Sequence, residues 1–254
     1  MIQIIISGCN GRMGQVIASQ ISALPQMEVV AGLDVADNQR NEFPVYCRFD
    51  DIKEKADVLV DFSHVSLTPS LLDYCAEKKL PLVLCTTGIA GDLMDKVHET
   101  AKVIPLFQSF NMSLGVSLLQ ALVRQAAKVL GDSYNIEIIE KHHNTKVDAP
   151  SGTAIMIAEA AASVLPYQPV HVFDRTNEHR LRSREEIGIH SIRGGTIVGE
   201  HEAMFIGQNE ILTISHSAQS RDLFANGAIK AVEFLAQATE AKVYHMDDLI
   251  QWLS

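Results

Sequence analysis

The sequence predicts an α/β protein with a Rossmann-type, doubly wound parallel sheet and a second α+β domain that carries a mixed or antiparallel sheet. Two observations predict this fold class. Up to residue 111, apolar β-branched segments alternate with segments of helical spacing, an order typical of parallel sheets with helices on both faces. Beyond residue 113, strand-like segments follow one another, which indicates a second sheet with antiparallel pairing.

Each element is predicted from the spacing of its apolar residues. In the first domain we expect strands at residues 2–7, 27–34, 57–62, 81–88 and 103–111, and helices at 13–24, 66–79 and 91–102. In the second domain we expect helices at 114–130 and 153–165 and strands at 135–140, 187–193, 196–207 and 210–218, the last two joined by a hairpin turn at 207–210. Helices at 222–238 and 245–253 are expected to fold back onto the first domain, which then comprises 1–112 and 222–254 and leaves 113–221 to the second.

Composition narrows the classes of function. Of the 254 residues, 47% are hydrophobic and 20% are charged, so a packed core is expected. The formal net charge of -10 gives no electrostatic reason to bind nucleic acid or an anionic membrane. No apolar run approaches the ~18 residues of a membrane span, and the N-terminus has no basic leader. The four cysteines form no Cys-x-x-Cys pair, which is typical of reduced thiols in a cytoplasmic protein.

A glycine-rich loop follows the first strand and opens the first helix. It reads G-C-N-G-R-M-G over residues 8–14. Glycines allow a tight turn and a close approach of the backbone to a pyrophosphate, and the helix N-terminus offers N–H groups and a partial positive charge. The spacing is one residue longer between the first two glycines than in the common fingerprint. Arg12 can add a charge-assisted contact to phosphate.

A carboxylate stands where such a loop requires one. The second strand ends at Asp34, 20 residues after Gly14, where an acidic side chain binds the ribose hydroxyls of NAD. Val35 follows, at a position where arginine would hold the extra phosphate of NADP, although Arg40 is near in the sequence. Strand, loop, helix, strand and carboxylate together predict a dinucleotide site that favours NADH, with NADPH as the alternative.

The segment E-K-H-H-N-T-K-V-D-A-P-S-G-T at residues 140–153 leaves a strand, crosses a loop and enters a helix. We place His142, His143 and Lys146 on that loop. A histidine can supply the proton that a C=N or C=C bond needs after a hydride arrives, and a lysine can stabilise the developing anion or donate a proton. The helix that opens at 151–153 offers N–H groups and a threonine hydroxyl to a carboxylate.

Structural explanations compete with these roles. Histidine pairs often decorate surfaces, and most lysines are solvated. No metal site is predicted, because adjacent histidines do not share a helix face and no H-E-x-x-H motif or cysteine set accompanies them. The other histidines that lack such a context are interpreted as structural or solvated: His171, His179, His190, His201, His216 and His245.

Four stretches resemble the family of 4-hydroxy-tetrahydrodipicolinate reductases, also called dihydrodipicolinate reductases, which act in diaminopimelate and lysine biosynthesis. They are the segment at 140–153, the loop at 8–14, G-E-H-E-A-M-F at 199–205 and F-A-N-G-A at 224–228. The resemblance spans essentially the whole chain in order. It implies an oxidoreductase that transfers a hydride from NADH or NADPH to a small heterocyclic dicarboxylate.

The resemblance also implies roles for individual residues. His142 matches the family's proton donor or acceptor, Lys146 its proton donor and His143 a substrate contact, whereas Gly152 and Thr153 match the pair that holds a substrate carboxylate. The implied cofactor-binding positions are Gly8, Cys9, Asn10, Gly11, Arg12, Met13, Asp34, Cys85, Thr86, Thr87, Ser109, Phe110, Asn111 and Met112. A homotetramer built through the sheet of the second domain is implied as well. The first domain would then bind the dinucleotide, and the second would bind substrate and form the oligomer.

Two residues depart from the family pattern. Cys85 stands where many members carry glycine, which bears on the geometry of the nicotinamide loop, and Val35 favours NADH.

Two other functions are alternatives. One rival is another two-domain NAD-dependent dehydrogenase of an amino acid or semialdehyde, since such enzymes share the first domain. The His-His-Lys segment argues against it. The other rival is a nicotinamide-sensing regulator, whose DNA-binding version would need a basic recognition helix that the sequence lacks.

Overall fold

The computed structural model describes residues 1–36, 41–176 and 179–254. Arg40, which the sequence places near Val35, lies outside the described residues. The strands are β1 Ile2–Ser7, β2 Met27–Leu33, β3 Val45–Tyr46, β4 Val58–Asp61, β5 Leu82–Leu84, β6 Leu106–Gln108, β7 Asn135–His142, β8 Val170–Val172, β9 Glu186–Arg193, β10 Gly199–Ile206, β11 Ile211–Ala218 and β12 Val243–Tyr244. The helices are α1 Arg12–Ser22, α2 Thr68–Lys78, α3 Asp92–Ala101, α4 Leu114–Leu130, α5 Gly152–Ala162, α6 Leu223–Leu235 and α7 Met246–Leu253.

The first compact unit comprises Met1–Leu114 and Asp222–Ser254 and is built on a seven-stranded parallel sheet. The strand order is β12-β6-β5-β4-β1-β2-β3, so the chain winds outward in both directions from β1. This doubly wound order places a crevice at the carboxyl ends of β1 and β4, where sheets of this kind bind ligands. The predicted Rossmann-type sheet is confirmed.

Helices cover both faces of that sheet, which explains why its strands are mostly apolar. In β1, Ile4 and Ile6 pack with α1, α6 and α7 on one face, whereas Ile5 packs with α2 and α3 on the other. The C-terminal part of the chain completes this unit, because α6 supplies buried residues to the first face and β12 pairs in parallel with β6.

The second compact unit, Gly115–Arg221, contains a five-stranded sheet in the order β11-β10-β7-β9-β8. Strands β7, β8 and β9 run parallel, and β10 is antiparallel to both β7 and β11. The sheet is therefore mixed, as predicted. One face packs against α4 and α5 in a third apolar cluster that includes Ile138, Phe205 and Ile157.

Several boundaries differ from the sequence-based expectations. Strand β7 continues to His142, which pairs with Arg193 on β9, so the predicted loop position of His142 is wrong. Strands β5 and β6 are shorter than predicted, because residues 85–88 and 109–111 leave the sheet as loops. The strands β3, β8 and β12 were not predicted, since two or three residues are too few to show a period. Among the described residues, no helix has the length and apolar character needed to cross a membrane.

Candidate functional site

The glycine loop between β1 and α1 forms a cradle that side chains would fill. Gly8 has φ +77°, a conformation that L side chains rarely adopt, and a Cβ there would lie 2.8 Å from the carbonyl oxygen of Phe62. A Cβ at Gly14 would lie 2.2 Å from the carbonyl oxygen of Gly8. Among the described side chains none caps α1 at Gly11, so the first N–H groups of this helix remain available to a phosphate.

Asp34 at the end of β2 is tied to this loop. Its carboxylate accepts hydrogen bonds from the backbone N–H of Asn10 and of Val35, both at 2.8 Å. The amide of Asn10 in turn donates to the carbonyl of Ala36 at 2.7 Å. Asp34 therefore holds the loop and stays partly exposed, while Cys9 is fully buried and offers only its backbone to a ligand.

A cavity of about 260 Å³ lies within the first unit at the carboxyl ends of its strands. It is lined by Met13, Phe62, Ser63, Cys85, Thr86, Thr87, Phe110, Met112 and Phe224. Six of these are predicted cofactor residues, from the start of α1 and from the segments after β5 and β6: Met13, Cys85, Thr86, Thr87, Phe110 and Met112. Burial raises the pKa of Cys85 well above that of a free thiol, so this side chain is a neutral part of the cavity wall.

A buried carboxylate supports one wall of the cavity. Asp61, the last residue of β4, is inaccessible to solvent and accepts a hydrogen bond from the hydroxyl of Thr86 at 2.5 Å. The same hydroxyl lies 2.9 Å from the carbonyl of Ser63. Ser109 and Asn111, two further predicted cofactor residues, form a turn in which the Ser109 hydroxyl donates to the Asn111 carbonyl at 2.8 Å.

In the second unit, His142 is held by a buried carboxylate. Its Nδ1 lies 2.6 Å from Oε2 of Glu140, two residues earlier on β7, so both side chains are on one face of the strand. Arg193 contacts both carboxylate oxygens, at 2.7 and 2.8 Å. Burial by itself would raise the pKa of Glu140, but hydrogen bonds from Arg193, Ser191 and His142 outweigh it and lower the pKa to about 2. Glu140 is therefore a permanent anion beside His142.

A second histidine completes this cluster. The rings of His142 and His201 meet edge to face with centroids 5.2 Å apart, and Nε2 of His201 lies 3.0 Å from the hydroxyl of Ser151. Burial, with contributions from His142, His216 and Lys146, lowers the pKa of His201 to about 4. His201 is thus neutral at physiological pH, and the ammonium of Lys146 is within electrostatic reach of it.

The other two polar groups of the predicted loop have local partners. Lys146 is 2.8 Å from Asp148, and His143 shares a 2.7 Å hydrogen bond with the hydroxyl of Thr145. Backbone hydrogen bonds tie the loop to the turn after β9, from Gly194 to His142 and from Asn144 to Gly195. The positions of His143 and Lys146 are thereby fixed relative to the end of β7.

The N-terminus of α5 begins beside this cluster. Ser151 caps the helix, because its hydroxyl accepts from the N–H of Ala154 at 3.1 Å, and its own N–H donates to Glu140 at 3.1 Å. Gly152 and Thr153 form the first turn. Apart from the adjoining residues and the backbone of the helix itself, no described atom lies within 4 Å of a Cβ placed at Gly152, so the packing of the chain does not require glycine there. The absence of a side chain leaves space at this helix end for a ligand.

Sequence reasoning gave no role to several residues that hold these groups. Glu140 stands in the quoted motif, and its i, i+2 spacing from His142 on a strand was the available signal. Asp61 and Arg193 act through contacts that spacing does not reveal, and Ser151, predicted only as part of the helix start, has contacts to Glu140 and His201 that the sequence does not show. His201 was interpreted as structural or solvated, and the structure buries it against His142. Within the described residues, no group of three or more His, Cys, Asp or Glu side chains is arranged to hold a metal ion.

Comparisons with known proteins cover the whole chain. The family models described as "Dihydrodipicolinate reductase, N-terminus" and "Dihydrodipicolinate reductase, C-terminus" match residues 2–112 and 115–250. A protein of Caldanaerobacter subterraneus subsp. tengcongensis named 4-hydroxy-tetrahydrodipicolinate reductase is 49% identical over 251 residues, which cover 99% of each chain. One of the same name from Clostridium tetani is 42% identical over 98% of this chain and 97% of its own. The structure of a dipicolinate-bound dihydrodipicolinate reductase from Paenisporosarcina sp. TG-14 superposes with a TM-score of 0.83 at 25% identity, covering 96% of this chain and 97% of that one.

Proposed function

The chain belongs to the dihydrodipicolinate reductase family, and we propose that it reduces the heterocycle derived from 4-hydroxy-tetrahydrodipicolinate to tetrahydrodipicolinate with a nicotinamide cofactor. The observation that carries this proposal is the cluster at the end of β7. There a carboxylate-bound His142, the ammonium of Lys146 and the uncrowded start of α5 occur together in one unit. Relatives that share nearly the full length of the chain bear the corresponding name.

The residues of the first unit fit a dinucleotide. The cradle has room only for backbone at Gly8 and Gly14, and the uncapped N-terminus of α1 suits a pyrophosphate. The carboxylate of Asp34 can accept hydrogen bonds from ribose hydroxyls. The cavity bounded by Thr86, Thr87, Phe110 and Met112 suits the nicotinamide ring. When bound, the reduced ring supplies a hydride to the substrate.

The second unit supplies binding and proton transfer. The N–H groups at Gly152 and Thr153, with the threonine hydroxyl, hold one substrate carboxylate, and His143 provides another polar contact. After the hydride adds to the unsaturated ring, the neighbouring ring atom takes a proton, so that one hydride and one proton are gained in all. We assign that proton to His142 or Lys146, because an imidazole and an ammonium group can both act as general acids.

An activity assay tests this proposal. The purified protein is mixed with NADH and with the heterocycle generated in situ, and the loss of NADH absorbance is followed. We expect turnover that requires the heterocycle. Turnover with amino acids or semialdehydes in its place would support another dehydrogenase, and cofactor binding without turnover on any of these would support a regulator.

We propose NADH as the preferred cofactor, with NADPH as the weaker one. Val35 is 93% exposed beside Asp34 and offers no charge to a 2′-phosphate, while the carboxylate of Asp34 repels one. The ratio of kcat/KM for the two cofactors tests this preference.

We further propose a homotetramer in the cytoplasm, assembled through the sheet of the second unit. The face of this sheet that turns away from α4 and α5 carries Ile192 and Ile211, both about half exposed or more, and half-buried Ile139, Met204 and Ile206. The same face also carries Lys141, which pairs with Glu200 and Glu202. Exposed apolar side chains among paired charges suit a subunit interface. The free thiols of all four cysteines support a reducing compartment. Sedimentation velocity should give a mass close to four chains, and a monomer would contradict the assembly.

A further inference from the structure

We propose that Glu140 is a positioning residue that orients the proton-donating imidazole of His142 and the carboxylate-binding start of α5 through one buried carboxylate. Its Oε2 lies 2.6 Å from Nδ1 of His142, and its Oε1 accepts the backbone N–H of Ser151 at 3.1 Å. The two predicted parts of the substrate site thus share a single anchor. This inference rests on the proposed function.

The partners of Glu140 are all hydrogen-bond donors. Arg193 donates to both oxygens, Ser151 donates its backbone N–H, and Ser191 and His142 contribute further hydrogen bonds. An ionised carboxylate is an acceptor only, so it satisfies all of them at once. A glutamine amide of the same size would place its NH2 group against one of these donors.

This arrangement determines which nitrogen of His142 carries a proton. Because Glu140 only accepts, Nδ1 keeps its proton whether the imidazole is neutral or charged, so Nε2 is the atom that takes up a proton from solvent and then gives it to a substrate. Gly199 on the neighbouring strand β10 lies beside Nε2. A Cβ at this residue would be only 3.1 Å from Nε2, so glycine leaves that side of the imidazole ring open. Comparable carboxylate–imidazole pairs orient catalytic histidines in other enzymes.

The same carboxylate fixes the first turn of α5. Ser151 donates its N–H to Glu140, its hydroxyl caps the helix through Ala154, and that hydroxyl also contacts His201. A change at Glu140 therefore moves both the imidazole and the N–H groups of Gly152 and Thr153. Loss of Glu140 should consequently affect both kcat and the substrate KM.

The experiment is a double-substitution cycle with Glu140→Gln and His142→Gln. In the otherwise unchanged chain, we expect Glu140→Gln to lower kcat about 100-fold, the range of general acid catalysis. In the His142→Gln background, the same substitution should change kcat by less than about threefold, because the group through which it acts is already absent. Equal losses in both backgrounds would overturn the proposal.

A second readout needs no substrate and therefore separates this inference from the proposed function. In protein labelled with 15N-histidine, the His142 signal, assigned by its loss in His142→Gln, should show the Nδ1–H tautomer. Glu140→Gln should shift it toward Nε2–H, because the glutamine amide can donate to Nδ1. An unchanged tautomer overturns the inference even if the enzyme is active, and a shift supports it even if the chosen substrate is wrong.

A matched control exists in the same unit. Glu186 is also a buried carboxylate held by arginines, Arg175 and Arg180, and hydrogen bonding from the Ser183 backbone and these arginines lowers its pKa to about 2. It lies at the opposite end of β9 from Arg193, about 23 Å along the strand. Glu186→Gln should lower stability without changing kcat or the His142 tautomer. If Glu140→Gln does not fold, Glu140→Asp serves in the kcat comparison, since it keeps the charge opposite Arg193 and withdraws the carboxylate from His142 by one methylene.

Discussion

The ammonium nitrogen of Lys146 lies 2.8 Å from a carboxylate oxygen of Asp148, two residues further along the same loop. This pair lowers the pKa of Asp148 and occupies the group that we assign to proton transfer and anion stabilisation. Asp148 is mostly exposed, so the pair is partly screened by water and a substrate carboxylate can displace it.

Removal of this competing carboxylate should favour the substrate. We expect Asp148→Asn to lower the substrate KM by about two- to fivefold, the worth of an exposed ion pair. Steady-state kinetics at low ionic strength measures the change. Asp132→Asn is the matched control, because Asp132 is an exposed carboxylate of the same unit that pairs with Arg184. A KM that is equal in the two variants, or higher in Asp148→Asn, would contradict the competition.

Lys146 itself is expected to act in the transition state. Lys146→Ala should reduce kcat by about 100-fold or more, because its stabilisation of the developing anion is made in the transition state. The substrate KM should change far less, since an ion pair of Lys146 with a substrate carboxylate is worth only a few-fold in binding. The control is Lys128→Ala, at an exposed position of α4 in the same unit. Near-normal turnover of Lys146→Ala would remove this residue from the mechanism.

The space at Gly152 provides a test of the carboxylate site that does not disturb folding. A Cβ there meets no described atom within 4 Å, and alanine at a helix start is more favourable than glycine. Gly152→Ala should therefore keep or slightly raise Tm and leave NADH affinity unchanged, while it raises the substrate KM about tenfold or more by crowding the anion site. A variant with unchanged KM would show that the ligand does not approach this helix end.

Cofactor preference should respond to Val35. This residue is exposed beside Asp34, so Val35→Arg costs little in folding and places a guanidinium where a 2′-phosphate would be. We expect kcat/KM for NADPH to rise about tenfold, with a smaller effect on NADH. Val103→Arg adds the same charge at another exposed position of the first unit and should change neither value. A failure to improve NADPH use would argue that this position does not face the ribose.

The buried His201 predicts a dependence of stability on pH. Its pKa in the folded chain is about 4 because burial disfavours the charged form, whereas an unfolded histidine titrates near the ordinary value of about 6.5. Between these values the unfolded chain binds a proton that the folded chain does not, so a stabilisation of about 3 kcal/mol is present above pH 6.5 and is lost as the pH falls toward 4.

Urea denaturation at pH 7 and pH 5 checks this dependence. His201→Gln should show a smaller loss of stability between the two pH values than the unchanged protein. His98 on α3 is exposed, and His98→Gln should lose as much stability between the two pH values as the unchanged protein does. The carboxylate of Glu140, whose pKa is about 2, keeps its contribution at both pH values and does not obscure the comparison. If His201→Gln and the unchanged protein lose the same free energy of unfolding between pH 7 and pH 5, His201 is not the source of the pH dependence.

The sequence by itself determined the order of the longer elements, the parallel first sheet, the mixed second sheet, the glycine cradle and the identity of the His-His-Lys segment. These follow from local rules: apolar period, glycine at tight turns and the chemistry of individual side chains. The sequence did not determine which residues position the side chains of this segment. Glu140 and Arg193 are 53 residues apart in the chain, and Ser151 and His201 are 50 apart. The periodicity of apolar residues predicts which face of a helix or strand is buried. It does not predict which side chains from distant parts of the sequence pack against that face. Only strand pairing and helix packing bring those groups within hydrogen-bonding distance, and so only the tertiary structure decided that His142 is oriented by a buried anion and borders a neutral His201.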